Sequence, residues 1–341
     1  MGVELSEPIS GAQGSIRRVC IVGGAGFIGS HFTRRFLADP ATEQVTIFDN
    51  FSSGRMWHLD DFLDDGRLNI VRGDVKDLPS LAKAVEGHDR VVHLASNPDI
   101  SKAMSDPTID FYEGTFLTNQ VLEAMRTSGV KRILYASGSG VYGDLGDREL
   151  DEDFSPMMPS STYGASKLAG EALIASYCAM FEMSGCAFRF GNVVGPRQTH
   201  GVGYDFVLRL LANPSELRIL GDGTQSKPYI YVDDVISAVL TADQHCEERF
   251  QPFNVAPGDY LSVNEIADIA KSIVLGADAE VEYVYSGGDR GWKGDVPVVR
   301  LNTSRIRKLG WQNRYSAKEA MAEAIEHMRK DAVLGKLGGG S

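Results

Sequence analysis

Residues 19–32, VCIVGGAGFIGSHF, constrain the fold of this chain more than any other stretch. Val19, Cys20, Ile21 and Val22 form an apolar run that reads as a buried parallel strand, covered on both faces and so without polar alternation. Glycines follow, and then Phe27, Ile28, His31, Phe32, Phe36 and Leu37 recur at helical spacing. Gly24, Gly26 and Gly29 fit G-x-G-x-x-G; Gly23, Gly26 and Gly29 fit the looser G-x-x-G-x-x-G. Glycine here serves a sharp turn, close backbone approach to a pyrophosphate, and tight packing of helix on strand. The helix N-terminus offers its unpaired N–H groups and positive dipole end to that anion.

A second apolar strand, residues 44–48, ends in Asp49, 20 residues past Gly29. A carboxylate at this point accepts adenosine ribose hydroxyls and repels a 2′-phosphate, so the expected dinucleotide is NAD, not NADP. The partner is not nucleic acid or an anionic membrane surface, because the net charge is −12 and no Lys/Arg-rich run exists. No apolar stretch approaches the ~18–20 residues of a membrane span. Residues 1–15 carry neither a basic nor an apolar signal segment and read as a disordered leader; residues 333–341 read as a flexible tail. Cys20, Cys178, Cys186 and Cys246 form no C-x-x-C, which points to a reduced cytoplasm and to no structural metal.

The rest of the chain alternates. A polar loop and helix follow Gly54, then a strand (68–71) closes on Gly73 and Asp74. Asp74 could accept from an adenine amino group or simply form a turn. A helix (78–85) leads to a strand (90–95) whose small residues Ala95 and Ser96 leave room for a flat ligand at its carboxyl end. Further expected elements are a helix over 107–128 stopped by Gly129, a strand over 131–137, a helix over 163–181, and a strand over 186–190 ending at Gly191 and Asn192. This rhythm predicts an α/β doubly wound parallel sheet, a Rossmann arrangement. From Val193 the rhythm breaks at Gly195-Pro196, Asn213-Pro214 and Gly221-Asp222-Gly223. We therefore expect a dinucleotide-binding domain over 16–195, a later contribution from 228–256, and a smaller C-terminal α/β substrate-binding region from 196–227 and 257–332. One more strand and helix, 229–232 and 235–242, flank Asp233 and Asp234, which read as helix caps.

Tyr163 and Lys167 stand four residues apart on one helical face. A neighbouring ammonium favours tyrosinate, and so does a cationic nicotinamide, so the phenol pKa is expected to fall from about 10 toward neutrality. Tyr163 then becomes a general base for an alcohol whose C–H hydride passes to the dinucleotide.

Gly24–Gly29 (GAGFIG), the Phe48-Asp49-Asn50-Phe51-Ser52-Ser53-Gly54 run, His93-Leu94-Ala95, Val141-Tyr142-Gly143-Asp144 and Tyr163-Gly164-Ala165-Ser166-Lys167 together resemble the extended short-chain dehydrogenase/reductases. Within them the chain is most similar to nucleotide-sugar 4-epimerases of the UDP-glucose/UDP-galactose type. The resemblance implies NAD recycled within each turnover, a 4-keto sugar that rotates between oxidation and reduction, a UDP-sugar substrate, and a homodimer. It places cofactor contacts on Gly23, Gly26, Phe27, Ile28, Gly29, Asp49, Asn50, Asp74, Val75, Leu94, Ala95, Tyr163 and Lys167. It places diphosphate contacts on Asn192 and on Lys227, where the family has an arginine, with Arg290 a further candidate. The family's Ser/Thr, four residues before the tyrosine of Val-Tyr-Gly, is Gly138 here; either flanking hydroxyl, Ser137 or Ser139, could replace it. The Asp-Glu pair of the 4,6-dehydratases is Ser139-Gly140, and the glutamate of UDP-glucuronate decarboxylases falls on Gly140. Those two activities, and an NAD(H)-binding sensor without turnover, are the alternatives.

Overall fold

The computed structural model describes residues 16–336, so the expected leader and the last five residues of the expected tail lie outside the described chain. The first half is β1 (Arg18–Val22), α1 (Phe27–Leu37), β2 (Gln44–Asp49), β3 (Leu68–Arg72), α2 (Leu78–Val85), β4 (Arg90–His93), α3 (Phe116–Ser128), β5 (Arg132–Gly138), α4 (Thr162–Met180) and β6 (Ser184–Phe190). The second half is β7 (Asn192–Val194), α5 (Val202–Ala212), β8 (Glu216–Ile219), β9 (Ser226–Lys227), β10 (Tyr229–Tyr231), α6 (Val232–His245), β11 (Phe250–Val255), β12 (Leu261–Ser262), α7 (Val263–Leu275), β13 (Glu282–Tyr285), α8 (Ser304–Lys308) and α9 (Ala317–Val333).

Seven strands form one parallel sheet in the order β11-β6-β5-β4-β1-β2-β3. Alternate residues of the central strands feed opposite faces. Val19 and Ile21 pack with Phe32 and Phe36 of α1 and with Val235 and Val239 of α6. Cys20 and Val22 face the other way, toward Leu81 of α2, Val121 and Leu122 of α3, and Ile174 of α4. A third cluster, built from α5, α7, α9 and β8, sits outside the large sheet. Order reverses between β1 and β4, and a crevice opens there beyond the strands' carboxyl ends.

Three expectations are corrected. The helix expected over 107–128 begins as a wide π-helical turn, Phe111–Thr115, before α3. The turn packs closely on α4: a Cβ on Gly114 would lie 2.7 Å from Ser166 Oγ. After Gly54 only two 3₁₀ turns form, Met56–His58 and Asp60–Phe62, pinned by buried Leu59 and by the His58 ring on the Ala25 carbonyl (2.8 Å). Asp233 and Asp234 do not cap α6, whose first helical residue is already Val232. Asp233 pairs with Arg34 and His31, while buried Asp234 accepts the backbone N–H groups of Arg314 (3.0 Å) and Tyr315 (3.1 Å). Both acids still lie in the helix's first turn, where its dipole favours them.

Candidate active site

The turn out of β1 uses its glycines for different ends. Gly23 has φ +82°, and a Cβ there would lie 2.6 Å from the Ala95 nitrogen. Gly29 seats α1 on the turn, since its Cβ would fall 2.6 Å from Gly24 Cα. Gly26 is otherwise: within the protein its Cβ would meet only the Gly23 carbonyl, at 3.5 Å. Its glycine is explained by what enters the cleft, which Gly26 lines. Asp49 caps the turn from β2. One carboxylate oxygen accepts from the Ala25 N–H (2.9 Å) and the other from the Phe51 N–H (2.8 Å). Burial pushes its pKa up, and the two N–H bonds pull it back.

The crevice is a cleft of about 520 Å³. Gly23, Gly26, Phe27, Ile28, Gly29, Asp49, Asn50, Asp74, Val75, Leu94, Ala95, Tyr163 and Lys167 all line it. A glycine-open backbone at a helix N-terminus, with a buried carboxylate beyond it, fits the pyrophosphate and ribose of a dinucleotide.

At the cleft's far side, α4 starts where Ser161 Oγ accepts the Gly164 N–H (3.1 Å). Gly164 lets the helix touch the strand-end turn, because a Cβ there would sit 2.4 Å from the Gly140 carbonyl oxygen. This approach sets Tyr163 beside the Ser137–Gly140 segment. Buried Lys167 donates to the Ala136 carbonyl (2.8 Å), its Nζ 5.4 Å from the Tyr163 ring centroid and 5.2 Å from that of Tyr135. Burial pulls the Lys167 pKa down to about 8, and the Asp110 carboxylate opposes this. The expected fall in the Tyr163 phenol pKa counted a bound cationic nicotinamide; the protein's own groups act the other way. Burial raises the phenol pKa, a hydrogen bond with the Ser96 side chain lowers it, and Asp110 raises it further. The protein's own groups therefore favour the protonated phenol, and a positive charge in the cleft would oppose them.

The two hydroxyls beside Gly138 are not equivalent. Buried Ser137 donates to Glu171 (2.6 Å), whose carboxylate also takes the Arg189 guanidinium at 2.7 Å and 3.0 Å. Both serines line the cleft, but Ser137 is tied into a buried ion pair, whereas Ser139 is half-buried. Gly138 has extended backbone (φ −162°), and no heavy atom lies within 4 Å of where its Cβ would be.

On the covering side, Asn192 and Lys227 line the cleft, and the Lys227 ammonium donates to Asp295 (2.5 Å). Arg290 does not line it. Its guanidinium is taken by Asp144 (2.7 Å) and by the Asp295 carbonyl (3.0 Å). Sequence reasoning passed over Asp110, Gln198, His200, Trp292 and Asp295. Only Asp110 carried a signal, an acid within a segment read as an apolar helix face. Among the described residues no group of three or more His, Cys, Asp or Glu could hold a metal ion. All four cysteines are buried free thiols, and no described helix is long and apolar enough to cross a membrane.

Known proteins share this architecture along nearly the whole chain. A UDP-glucose 4-epimerase of Mycolicibacterium smegmatis is 32% identical over 319 residues, covering 92% of this chain and 98% of the relative. The crystal structure of a UDP-glucose 4-epimerase from Thermus thermophilus in complex with NAD has a TM-score of 0.78 at 29% identity, covering 92% of this chain and 99% of that one. A dTDP-glucose 4,6-dehydratase from Streptomyces venezuelae, with NAD bound, reaches a TM-score of 0.83 at 27% identity, covering 93% and 98%. The family model "NAD dependent epimerase/dehydratase family" matches residues 19–256. The chain is therefore an enzyme of the NAD-dependent epimerase/dehydratase family, with NAD as its cofactor.

Proposed function

We propose that this enzyme epimerises C4 of a UDP-hexose, of the UDP-glucose/UDP-galactose type, through a transient 4-keto sugar. One observation carries the reading: Tyr163 and Lys167 face the cleft beside a β5 end, Ser137-Gly138-Ser139-Gly140, that bears no carboxylate. Elimination of water from C5–C6 needs an acid and a base there, and the dehydratase reading lacks both. Bound NAD supplies the acceptor and donor for the C4 hydride. Tyr163 takes the C4 hydroxyl proton and returns it, Lys167 stabilises the phenolate, and Ser139 donates a hydrogen bond to the C4 oxygen. Asn192 and Lys227 hold the diphosphate; Lys227 keeps the charge of the arginine it replaces but not its two-pronged geometry.

The same reading divides the chain into a dinucleotide-binding domain (16–195, with 228–256) and a substrate-binding region (196–227 and 257–332). Exposed Phe111, Tyr112 and Met180 support a homodimer through α3 and α4, and the free thiols support a reducing cytoplasm. The test is incubation with UDP-glucose, UDP-glucuronate and dTDP-glucose without added NAD, followed by product analysis. UDP-galactose is expected from the first. A pentose from the second or a 4-keto-6-deoxy sugar from the third would replace the reading, and no product with NAD retained would favour a sensor.

A further inference from the structure

A buried acid lies behind the catalytic pair, outside the roles assigned above. Asp110 is 1% exposed and sits immediately before the π-helical turn Phe111–Thr115. Both of its oxygens are engaged. One accepts from Asn97 Nδ2 (2.9 Å), and the other from Thr162 Oγ1 (2.7 Å), the residue next to Tyr163. Asn97 in turn organises its own loop, donating to the Asp99 carbonyl (2.9 Å) and accepting the Asp99 N–H (3.1 Å). That loop, with Ser96 and Asn97, lines the cleft, and Ser96 is hydrogen-bonded to the Tyr163 phenol.

We propose that Asp110 is a positioning residue of the active site: its carboxylate fastens the 96–99 loop to the first turn of α4 and stands beside the Tyr163–Lys167 pair. The groups that face this pair are few. Ser96 and His93 approach from β4 and its end, Tyr135 from β5, and Asp110 from the segment before α3. His93 is buried and held neutral, and buried Tyr135 keeps its proton, so Asp110 supplies the anionic charge. A buried carboxylate opposes phenolate formation and favours the ammonium, so both protons of the pair leave at higher pH than they otherwise would.

This rests on the epimerase reading only for its kinetic arm. Asp110→Asn removes the charge and preserves the geometry, because the amide oxygen accepts from Asn97 while the amide nitrogen donates to the Thr162 hydroxyl. Asp110→Ala removes both. Ultraviolet difference titration of the NAD-loaded protein, each variant against its Tyr163→Phe counterpart, reads the phenol directly. The Asn variant is expected to ionise at least about half a pH unit lower than the parent. In the same variant both limbs of the kcat–pH profile move down, with KM for UDP-glucose within about threefold, whereas Asp110→Ala raises KM about tenfold or more. An unshifted titration in Asp110→Asn, or equal KM in the two variants, overturns the proposal. The titration needs no turnover, so a shift in a protein that does not epimerise UDP-glucose sustains Asp110's role while removing the epimerase reading; epimerisation without a shift does the reverse.

Discussion

Ser137 and Ser139 are separated by a single glycine and differ in what holds them. Ser137 spends its proton on Glu171, which shares a buried ion pair with Arg189. Ser139→Ala should therefore lower kcat about 100- to 1,000-fold with little change in NAD content, the scale of one lost hydrogen bond to a reacting oxygen. Ser137→Ala should cost stability more than rate, and steady-state kinetics beside thermal melts separate the two. Gly138→Ser meets no atom and no backbone strain, so it should fold like the parent. Glu171→Ala strands Arg189, which is 2% exposed, and should destabilise by about 3–5 kcal/mol in urea titration. None of this was legible in the sequence, where the Ser137 partner lies 34 residues away on another element. Tyr163 and Lys167 were legible because their relation is local, one helical turn. The direction of the Tyr163 shift was not, because burial and Asp110 are tertiary.

At the level of elements, α1, α2 and strands β1 to β6 stand where apolar periodicity and glycine stops put them, within a residue or two at their ends, whereas the edge strand β11 was not expected. Nor was the π-helical turn before α3, and its Gly114 lies close against Ser166 of α4, a tertiary contact that local periodicity does not carry. The same kind of contact makes Gly164 sensitive. Gly164→Ala would drive a methyl to 2.4 Å from the Gly140 oxygen, so α4 must back away from the β5 turn. The expected result is a loss of stability of about 1–3 kcal/mol and a fall in kcat larger than the rise in KM, measured by melts and steady-state kinetics. Helix propensity alone predicts the opposite sign for stability, because alanine is the better helix former. The outcome distinguishes packing from propensity.

The whole molecule carries a pH dependence that follows from its buried imidazoles. His58 and His93 are each 1% exposed, and burial lowers their pKa values to about 4 and about 3. In the unfolded chain they titrate near 6.5, so acid favours the unfolded state, which binds more protons. This contribution to stability is complete above about pH 6.5 and is lost as pH falls toward the folded values. Urea midpoints should drop between pH 7.5 and pH 5, and a midpoint that stays flat would contradict the burial of these rings. At this scale the doubly wound sheet and the dinucleotide cleft were legible, because the glycine turn and Asp49 are close in sequence and alternation is repeated. The covering side was less so. Arg290 turned out to be held by Asp144, 146 residues away, and Lys227 to face Asp295. The account as a whole rests on the Tyr163 phenol as the group that takes the hexose proton. Its most direct test is turnover of UDP-glucose by Tyr163→Phe with bound NAD measured in the same preparation. The prediction is NAD content equal to the parent's and conversion to UDP-galactose reduced at least about 1,000-fold. Near-parental conversion by that variant would contradict it.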